Sequence, residues 1–304
     1  MDYYNPYGQI GKGSNKWLKC NFHVHGDNMP MNEILRHYKV AGYDLIMFSQ
    51  QKDFEDTSLL AEQAGISTVN GQEYVELDGL LLVGTHRHLS GRPQQVVDAC
   101  NAQGGFAIIC HPNELDIPLD RIPPILPKEQ SRLLEGVVGL EVYNGCTART
   151  AVEDYSLGFG LASDFWDELL SEGRKLWGFG SDDFHDMFEM NVGWTYVCAA
   201  STRFVDIKSA VLAGRLYASS GLFLHHFSLD RQTIRAVADY PYGKPLGKTL
   251  YRFVGENGRI LKEERGGEGV YTIKGGEPYV RLEAMGPDGS FLWCQPLLHK
   301  DFFD

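Results

Sequence analysis

The stretch WLKCNFHVH, residues 17–25, is a short run of apolar and aromatic residues that ends in two histidines. Such a composition is typical of a buried β-strand. Residues two apart on a strand point to the same face, so His23 and His25 can both reach one ion. The pair alone leaves a second interpretation open, because two solvent-facing histidines at a strand end would show the same pattern.

Runs of this kind alternate with amphipathic segments along most of the chain. The strand candidates that follow are YDLIMFS, ISTVNG, GLLLVGTH, GFAIICH, VVGLEVYN, KLWGFGSDD and WTYVCA. The helix candidates between them are MNEILRHYKVAG, SLLAEQAG, PQQVVDACNAQGG and ASDFWDELLSEGRK. Repeated alternation of strand and helix predicts an α/β fold with a parallel sheet, either open or closed into a barrel.

Polar and ionisable side chains stand where these strands end. They are His23, His25, Glu73, His86, His111, Asn144, Asp182 and Asp183. Each has a plainer interpretation, such as a solvated charge, a residue before a proline turn, or a helix N-cap. Those interpretations do not predict a common position at successive strand ends, which is where barrel active sites are built. Imidazole and carboxylate groups are the ligands that zinc, manganese and iron take in hydrolytic sites.

Composition limits the classes of partner. The chain has 304 residues and a formal net charge of −12. It has no cluster of lysine and arginine suited to a phosphate backbone, which predicts no nucleic-acid partner. It has neither a long apolar run nor the features of a signal peptide, which predicts no membrane partner. The six cysteines lack CxxC spacing and are expected to be reduced, mostly buried thiols of a cytoplasmic protein.

The sequence texture changes near residue 224, where alternating, turn-rich segments begin. ENGR at residues 256–259 and PDGS at residues 287–290 are hairpin signals flanked by alternating apolar residues. We therefore predict two domains, a catalytic domain over residues 1–223 and a small antiparallel, sandwich-like β unit over residues 224–304.

The ordered motifs HVH, GQE, GTH, CHP and GSDDFH resemble those of the PHP (polymerase and histidinol phosphatase) superfamily of metal-dependent hydrolases, over residues 17–221. GLEVYNG and VLAGRLYASSG are similar to segments of the branch that includes carbaryl hydrolase type enzymes and predicted phosphoesterases. The resemblance implies a distorted (β/α)7 TIM-like barrel. It also implies two groups of metal ligands. His23, His25, Glu73 and Asp183 match the first site, and Glu73 would bridge to a second ion held by His111 and His86.

Two departures from the family pattern concern a third ion. Pro30 stands near the position of an expected acid, and neither Asp27 nor Asn28 has the right spacing to replace it. Gln50 and Gln51 replace an acid and an imidazole, and glutamine supplies no negative charge. We therefore predict that the third site is absent or very weak, which leaves two divalent ions, Zn, Mn or Fe.

The predicted function is hydrolysis of a small-molecule phosphate ester by metal-activated water. Asp183 is expected to act as a ligand that can also accept a proton, and His185 as the general acid for the leaving group. Arg149, Asn144 and Gln51 are candidate substrate contacts. Two alternatives stay open: a hydrolase or lyase of a carbamate, ester, amide or glycan, and a degenerate binding protein. The oligomeric state is also left open.

Overall fold

A computed structural model of the chain describes residues 3–26, 28–51, 56–74, 76–113, 125–148, 160–241 and 248–303. The fold is mixed α/β. The helices are α1 Met31–Val40, α2 Ser58–Ala64, α3 Pro93–Ala102, α4 Lys128–Ser131, α5 Ser163–Ser171, α6 Phe204–Leu212 and α7 Lys300–Phe303. The strands are β1 Tyr3–Tyr4, β2 Lys16–Val24, β3 Leu45–Ser49, β4 Ser67–Glu73, β5 Leu80–Val83, β6 Phe106–Ile109, β7 Val137–Asn144, β8 Trp177–Ser181, β9 Trp194–Ala199, β10 Leu216–Ser219, β11 Phe223–Asp230, β12 Thr233–Asp239, β13 Thr249–Gly255, β14 Arg259–Gly266, β15 Gly269–Thr272, β16 Tyr279–Met285, β17 Phe291–Cys294 and β18 Leu297–His299.

The predicted strands and helices of the first two-thirds of the chain are present, but the sheet is only partly parallel. Strands β2, β3 and β4 pair in parallel, and so do β6, β7 and β8. Strand β5 lies between these two sets and is antiparallel to both of its neighbours. The carboxyl ends of the six parallel strands therefore share one edge, whereas β5 ends at the opposite edge.

Two further strands continue the sheet in the antiparallel sense. Strand β9 pairs with β2, and β10 pairs with β9. At the carboxyl edge an isolated parallel bridge joins Val24, the last residue of β2, to Phe184, which follows β8. The backbone N–H of His25 donates to the carbonyl of Phe184 at 2.9 Å. The two ends of the parallel region therefore meet beside the histidine pair.

The strands after residue 223 pair antiparallel, and both predicted hairpins are confirmed. Strands β13 and β14 flank ENGR, and β16 and β17 flank PDGS. Asn257 has φ +54° and Gly289 has φ +88°, as these tight turns require. Strand β17 also pairs with β10, so one sheet runs from the parallel region into the C-terminal strands. The domain boundary at residue 223 stays a prediction.

The apolar composition of the strands matches their burial in the structure. Strands β3, β6 and β8 are buried along their whole length, as apolar runs such as FAIIC and YDLIMFS predict. The six cysteines all lie in described stretches, form no disulfide, and five of them are buried, as expected. Of the helices in the described part of the chain, none is both long and apolar enough to cross a bilayer.

Candidate metal centre

The shared carboxyl edge gathers five ionisable side chains in one buried cluster. His23 is the penultimate residue of β2, His25 follows that strand, Glu73 ends β4, and His111 and Asp183 each lie two residues beyond a strand end. None of the five residues is more than 5% exposed. The parallel strands place them together because their carboxyl ends meet there.

The two histidines of HVH point their Nε2 atoms at carboxylate oxygens. His23 Nε2 lies 3.0 Å from Asp183 Oδ1 and 3.1 Å from Glu73 Oε1. His25 Nε2 lies 3.2 Å from Asp183 Oδ1 and 3.3 Å from Glu73 Oε2. Both Nε2 atoms are buried, and neither makes a hydrogen bond with acceptable geometry. Buried ring nitrogens and carboxylates that converge in this way, without a hydrogen bond between them, are arranged as ligands of one cation.

Glu141, a mid-strand carboxylate that was not predicted from the sequence, orients the ring of His23. Glu141, in β7, is 1% exposed, and its Oε1 accepts a hydrogen bond from His23 Nδ1 at 2.9 Å. A carboxylate only accepts, so Nδ1 carries the hydrogen, and in the neutral imidazole Nε2 presents its lone pair to the cluster. The Oε2 atom of Glu141 accepts from the His111 backbone and from Asn144 Nδ2, each at 2.9 Å.

Two of the cluster residues have left-handed backbone conformations. His111 has φ +26° and Asp183 has φ +52°. Such conformations cost roughly 1–3 kcal/mol each for residues other than glycine, and they concentrate at functional sites. The backbone N–H of His111 donates to Glu141, which holds His111 in this conformation. Asn144 Nδ2 donates to Asp183 Oδ2 at 3.1 Å and holds the side chain of Asp183. Asn144 contacts both Asp183 and Glu141, and its role as a substrate contact stays a prediction.

The charges in the cluster depend on one another. Burial lowers the pKa of His23, but the negative charge of Asp183 and of two glutamates outweighs it and holds that pKa well above its usual value. Burial raises the pKa of Glu73, but His23 and His111 hold it well below its usual value. A field of this kind retains positive charge, supplied either by protons or by a bound cation.

The structure corrects the expectation for His86. This residue was assigned to the cluster because it follows a strand, but β5 runs antiparallel and ends at the opposite edge. His86 is exposed there, and its backbone N–H donates to Gln103 Oε1 at the amino end of β6. The assignment of His86 as a ligand is therefore wrong. Reversal of β5 brings Asp78 to the cluster instead, with Oδ1 3.4 Å from His111 Nε2. Burial, with a smaller contribution from Glu73, raises the pKa of Asp78 to about 8.

The other predicted residues occupy different positions around this cluster. Gln51 Nε2 donates to Glu73 Oε2 at 2.7 Å, so its amide contacts a candidate ligand. Asp182 anchors a loop, because its carboxylate accepts the backbone N–H groups of residues 191–193. Asp27 and Arg149 lie outside the described residues.

His185 lies at the open side of the cluster. Its ring stacks on that of His25, with centroids 4.2 Å apart and planes at 23°. Its Nδ1 lies 3.0 Å from the carbonyl oxygen of Asp183, and its side chain is 40% exposed. His185 also belongs to a second group of potential ligand atoms, with Cys146 and Glu189. Within that group the Glu189 carboxylate already accepts the backbone N–H groups of His185 and Asp186.

The fold is similar to those of several solved structures. A two-domain protein from Bacteroides vulgatus, described as containing a predicted PHP-like metal-dependent phosphoesterase, aligns with a TM-score of 0.49 at 14% identity, over 93% of this chain and 96% of that chain. No protein-family model matches the chain, and no curated protein matches it.

Proposed function

We propose that this chain is a metal-dependent hydrolase that binds two divalent ions at the carboxyl edge of its parallel strands and hydrolyses a small-molecule phosphate ester. The observation that carries the proposal is the convergence of the buried Nε2 atoms of His23 and His25, neither of which makes a hydrogen bond, on oxygens of Glu73 and Asp183, at 3.0–3.3 Å. The order of the motifs, which resembles that of the PHP superfamily, supports the same chemistry.

Side chains divide into two groups around the bridging carboxylate of Glu73. His23, His25 and Asp183 would hold one ion, and His111 would hold the other. Bound ions of this kind polarise a scissile oxygen and lower the pKa of water. The protein's own contribution is to orient the His23 imidazole through Glu141, to hold Asp183 through Asn144, and to place the imidazole of His185 at the open side.

The proposal includes a closed, TIM-like barrel of seven βα units within residues 1–223. The bridge between Val24 and Phe184, with the hydrogen bond from His25 to Phe184, supports closure at the carboxyl edge. The ladder that joins β10 to β17 means that any C-terminal unit would share a sheet with the barrel.

A second candidate function, hydrolysis of a bond other than a phosphate ester, is favoured by the lack of lysine and arginine side chains paired with the cluster in the described part of the chain. Phosphate sites usually offer arginine or lysine donors. Within the described residues, no arginine or lysine forms an ion pair with Glu73, Asp78 or Asp183. A hydrolase or lyase of a carbamate, ester, amide or glycan needs no such donor and is the second candidate function.

Metal analysis with a substrate panel tests the proposal. We expect two divalent ions per chain, phosphate release from p-nitrophenyl phosphate or its bis-ester, loss of turnover after chelation, and recovery on adding Zn²⁺ or Mn²⁺. Bound metal with turnover only of esters, carbamates or glycosides would select the second candidate. A protein that takes up no metal would be a degenerate binding protein, and the proposal would be wrong.

Glu141→Gln is expected to lower the affinity for metal roughly 10- to 100-fold, as loss of an outer-shell partner of a ligating histidine does. Glutamine removes the charge opposite His23 Nδ1 and turns an amide NH2 toward groups that donate. The measurement is competition with a fluorescent zinc chelator. Glu33→Gln, on the exposed face of α1, is the control and should change nothing. Unchanged affinity in Glu141→Gln would show that Glu141 serves packing alone.

A further inference from the structure

Cys110 lies inside the cluster, although no step proposed so far uses it. It is 1% exposed, and its Sγ lies 3.8 Å from Glu73 Oε1. The possible ligand atoms of His23, Glu73, Cys110 and His111 all lie within 4.8 Å of one another. A cysteine in the buried core usually contacts apolar atoms, whereas this sulfur faces a carboxylate and an imidazole.

The pairing of β5 with β6 explains how both Cys110 and Asp78 reach the cluster. Leu80 pairs with Ile109, and beyond them the backbone N–H of Cys110 donates to the carbonyl of Gly79 at 3.0 Å. Continuing that antiparallel register sets Asp78 opposite His111. The hairpin arm before β5 and the residues after β6 therefore supply ligand atoms to the same side of the cluster.

The two sides of the cluster differ in their number of donor atoms. One imidazole nitrogen binds one ion, and His23 Nε2 shares Asp183 Oδ1 with His25, at 3.0 and 3.2 Å. His23 therefore belongs with His25 and Asp183. The other side keeps Glu73 Oε1, 3.1 Å from His111 Nε2, and has room for further protein donors beside a water. Asp78 and Cys110 are the neighbours that can provide them.

We propose that Cys110, as a thiolate, is a direct ligand of the second ion, beside Glu73, His111 and Asp78. This inference rests on the proposed function and adds the class of metal. Bonds from zinc are about 2.0–2.2 Å long to nitrogen and oxygen and about 2.3 Å long to sulfur. The distance between two ligand atoms, an edge of the coordination tetrahedron, is therefore longer when one of them is sulfur. The 3.8 Å edge from Glu73 to Cys110 and the 3.1 Å edge to His111 follow that order.

A thiolate ligand changes which metal the site selects. Sulfur favours Zn²⁺ or Fe²⁺, whereas sites of oxygen and nitrogen alone also accept Mg²⁺ and Mn²⁺. The second ion is therefore expected to be Zn²⁺ or Fe²⁺, and Mg²⁺ is expected not to compete for it. In the alternative, Cys110 is a protonated core thiol that donates its S–H to Glu73.

Titration of the metal-free protein with Co²⁺ separates these alternatives without measuring activity. Thiolate ligation gives a sulfur-to-cobalt charge-transfer band in the near ultraviolet, and we expect this band in the wild-type protein and its loss in Cys110→Ser. The zinc affinity of the second site should fall by about 100-fold or more in Cys110→Ser. Loss of a direct ligand should cost at least as much as loss of a hydrogen-bond partner of a ligand, which lowers metal affinity by up to about 100-fold. Cys100→Ser is the matched control, because Cys100 is equally buried but its sulfur faces the carbonyl oxygens of Val83 and Phe106.

The outcomes distinguish the inference from the function on which it rests. Two bound Co²⁺ ions without the band would overturn ligation by Cys110 and leave the metal centre intact. A band that Cys146→Ser removes instead would assign the thiolate to the group around His185. No bound Co²⁺ would overturn the proposed function itself. If Cys110→Ser fails to fold, X-ray absorption of the zinc-loaded wild-type protein decides, since it should find a sulfur at about 2.3 Å.

Discussion

Replacing Glu73 by glutamine is expected to leave at most one bound ion per chain and to lower turnover by about 10³-fold or more. Glu73 is the cluster carboxylate that contacts both ligand groups, with Oε1 3.1 Å from both His23 Nε2 and His111 Nε2, and Oε2 3.3 Å from His25 Nε2. Lewis-acid stabilisation is worth several kcal/mol, and each 1.4 kcal/mol is about tenfold in rate. Glutamine keeps the shape but removes the charge that two neighbouring cations need.

Element analysis and steady-state kinetics on the same preparations measure both effects. Glu62→Gln, the same substitution on the exposed face of α2, should bind metal and turn over as the wild-type chain does. A thermal melt of each metal-free protein checks that both variants fold. If Glu73→Gln keeps two ions and most of its turnover, Glu73 is not a bridging ligand and the division into two groups fails.

The strand ends and the main residues of the cluster could be predicted because local pattern and chain order agree. Most of the parallel strands are largely apolar runs, and each has a polar residue at or just past its carboxyl end. His23, His25, Glu73, His111 and Asp183 therefore come together in the structure by topology alone, whatever chemistry they perform.

The direction of β5 also follows from the sequence, and it separates His86 from the cluster. Only residues 74–79 separate Glu73 from Leu80. A parallel connection needs a dozen or more residues, so this linker permits only an antiparallel pair. Applied to the sequence, that rule would have removed His86 from the cluster and brought Asp78 into it.

Glu141 and Cys110 could not be selected from the sequence with the same ease. Glu141 is a charged residue inside a buried strand, which implies a partner but does not identify it. Cys110 ends the run FAIIC and looks like a core thiol until the register of β5 and β6 sets it beside Glu73. Tertiary contacts, rather than local pattern, give these two residues their environment.

His185→Gln is expected to lower turnover by about 10²- to 10⁴-fold on substrates with poor leaving groups, while the metal content stays at two ions. The carbonyl oxygen of Asp183, 3.0 Å from His185 Nδ1, can only accept, so Nδ1 keeps its hydrogen and Nε2 is the nitrogen that exchanges protons. The stack on His25 fixes the ring plane beside the first ligand group, and the exposed edge can reach a leaving group.

Comparing leaving groups separates proton donation from a structural role. An alkyl phosphate needs a proton on the departing oxygen and should show the full loss, whereas p-nitrophenyl phosphate leaves as a stable anion and should lose much less. His226→Gln, at an exposed position of strand β11, is the matched control. An equal loss on both substrates together with loss of metal would make His185 a ligand, and an unchanged rate on the alkyl ester would remove it from the mechanism.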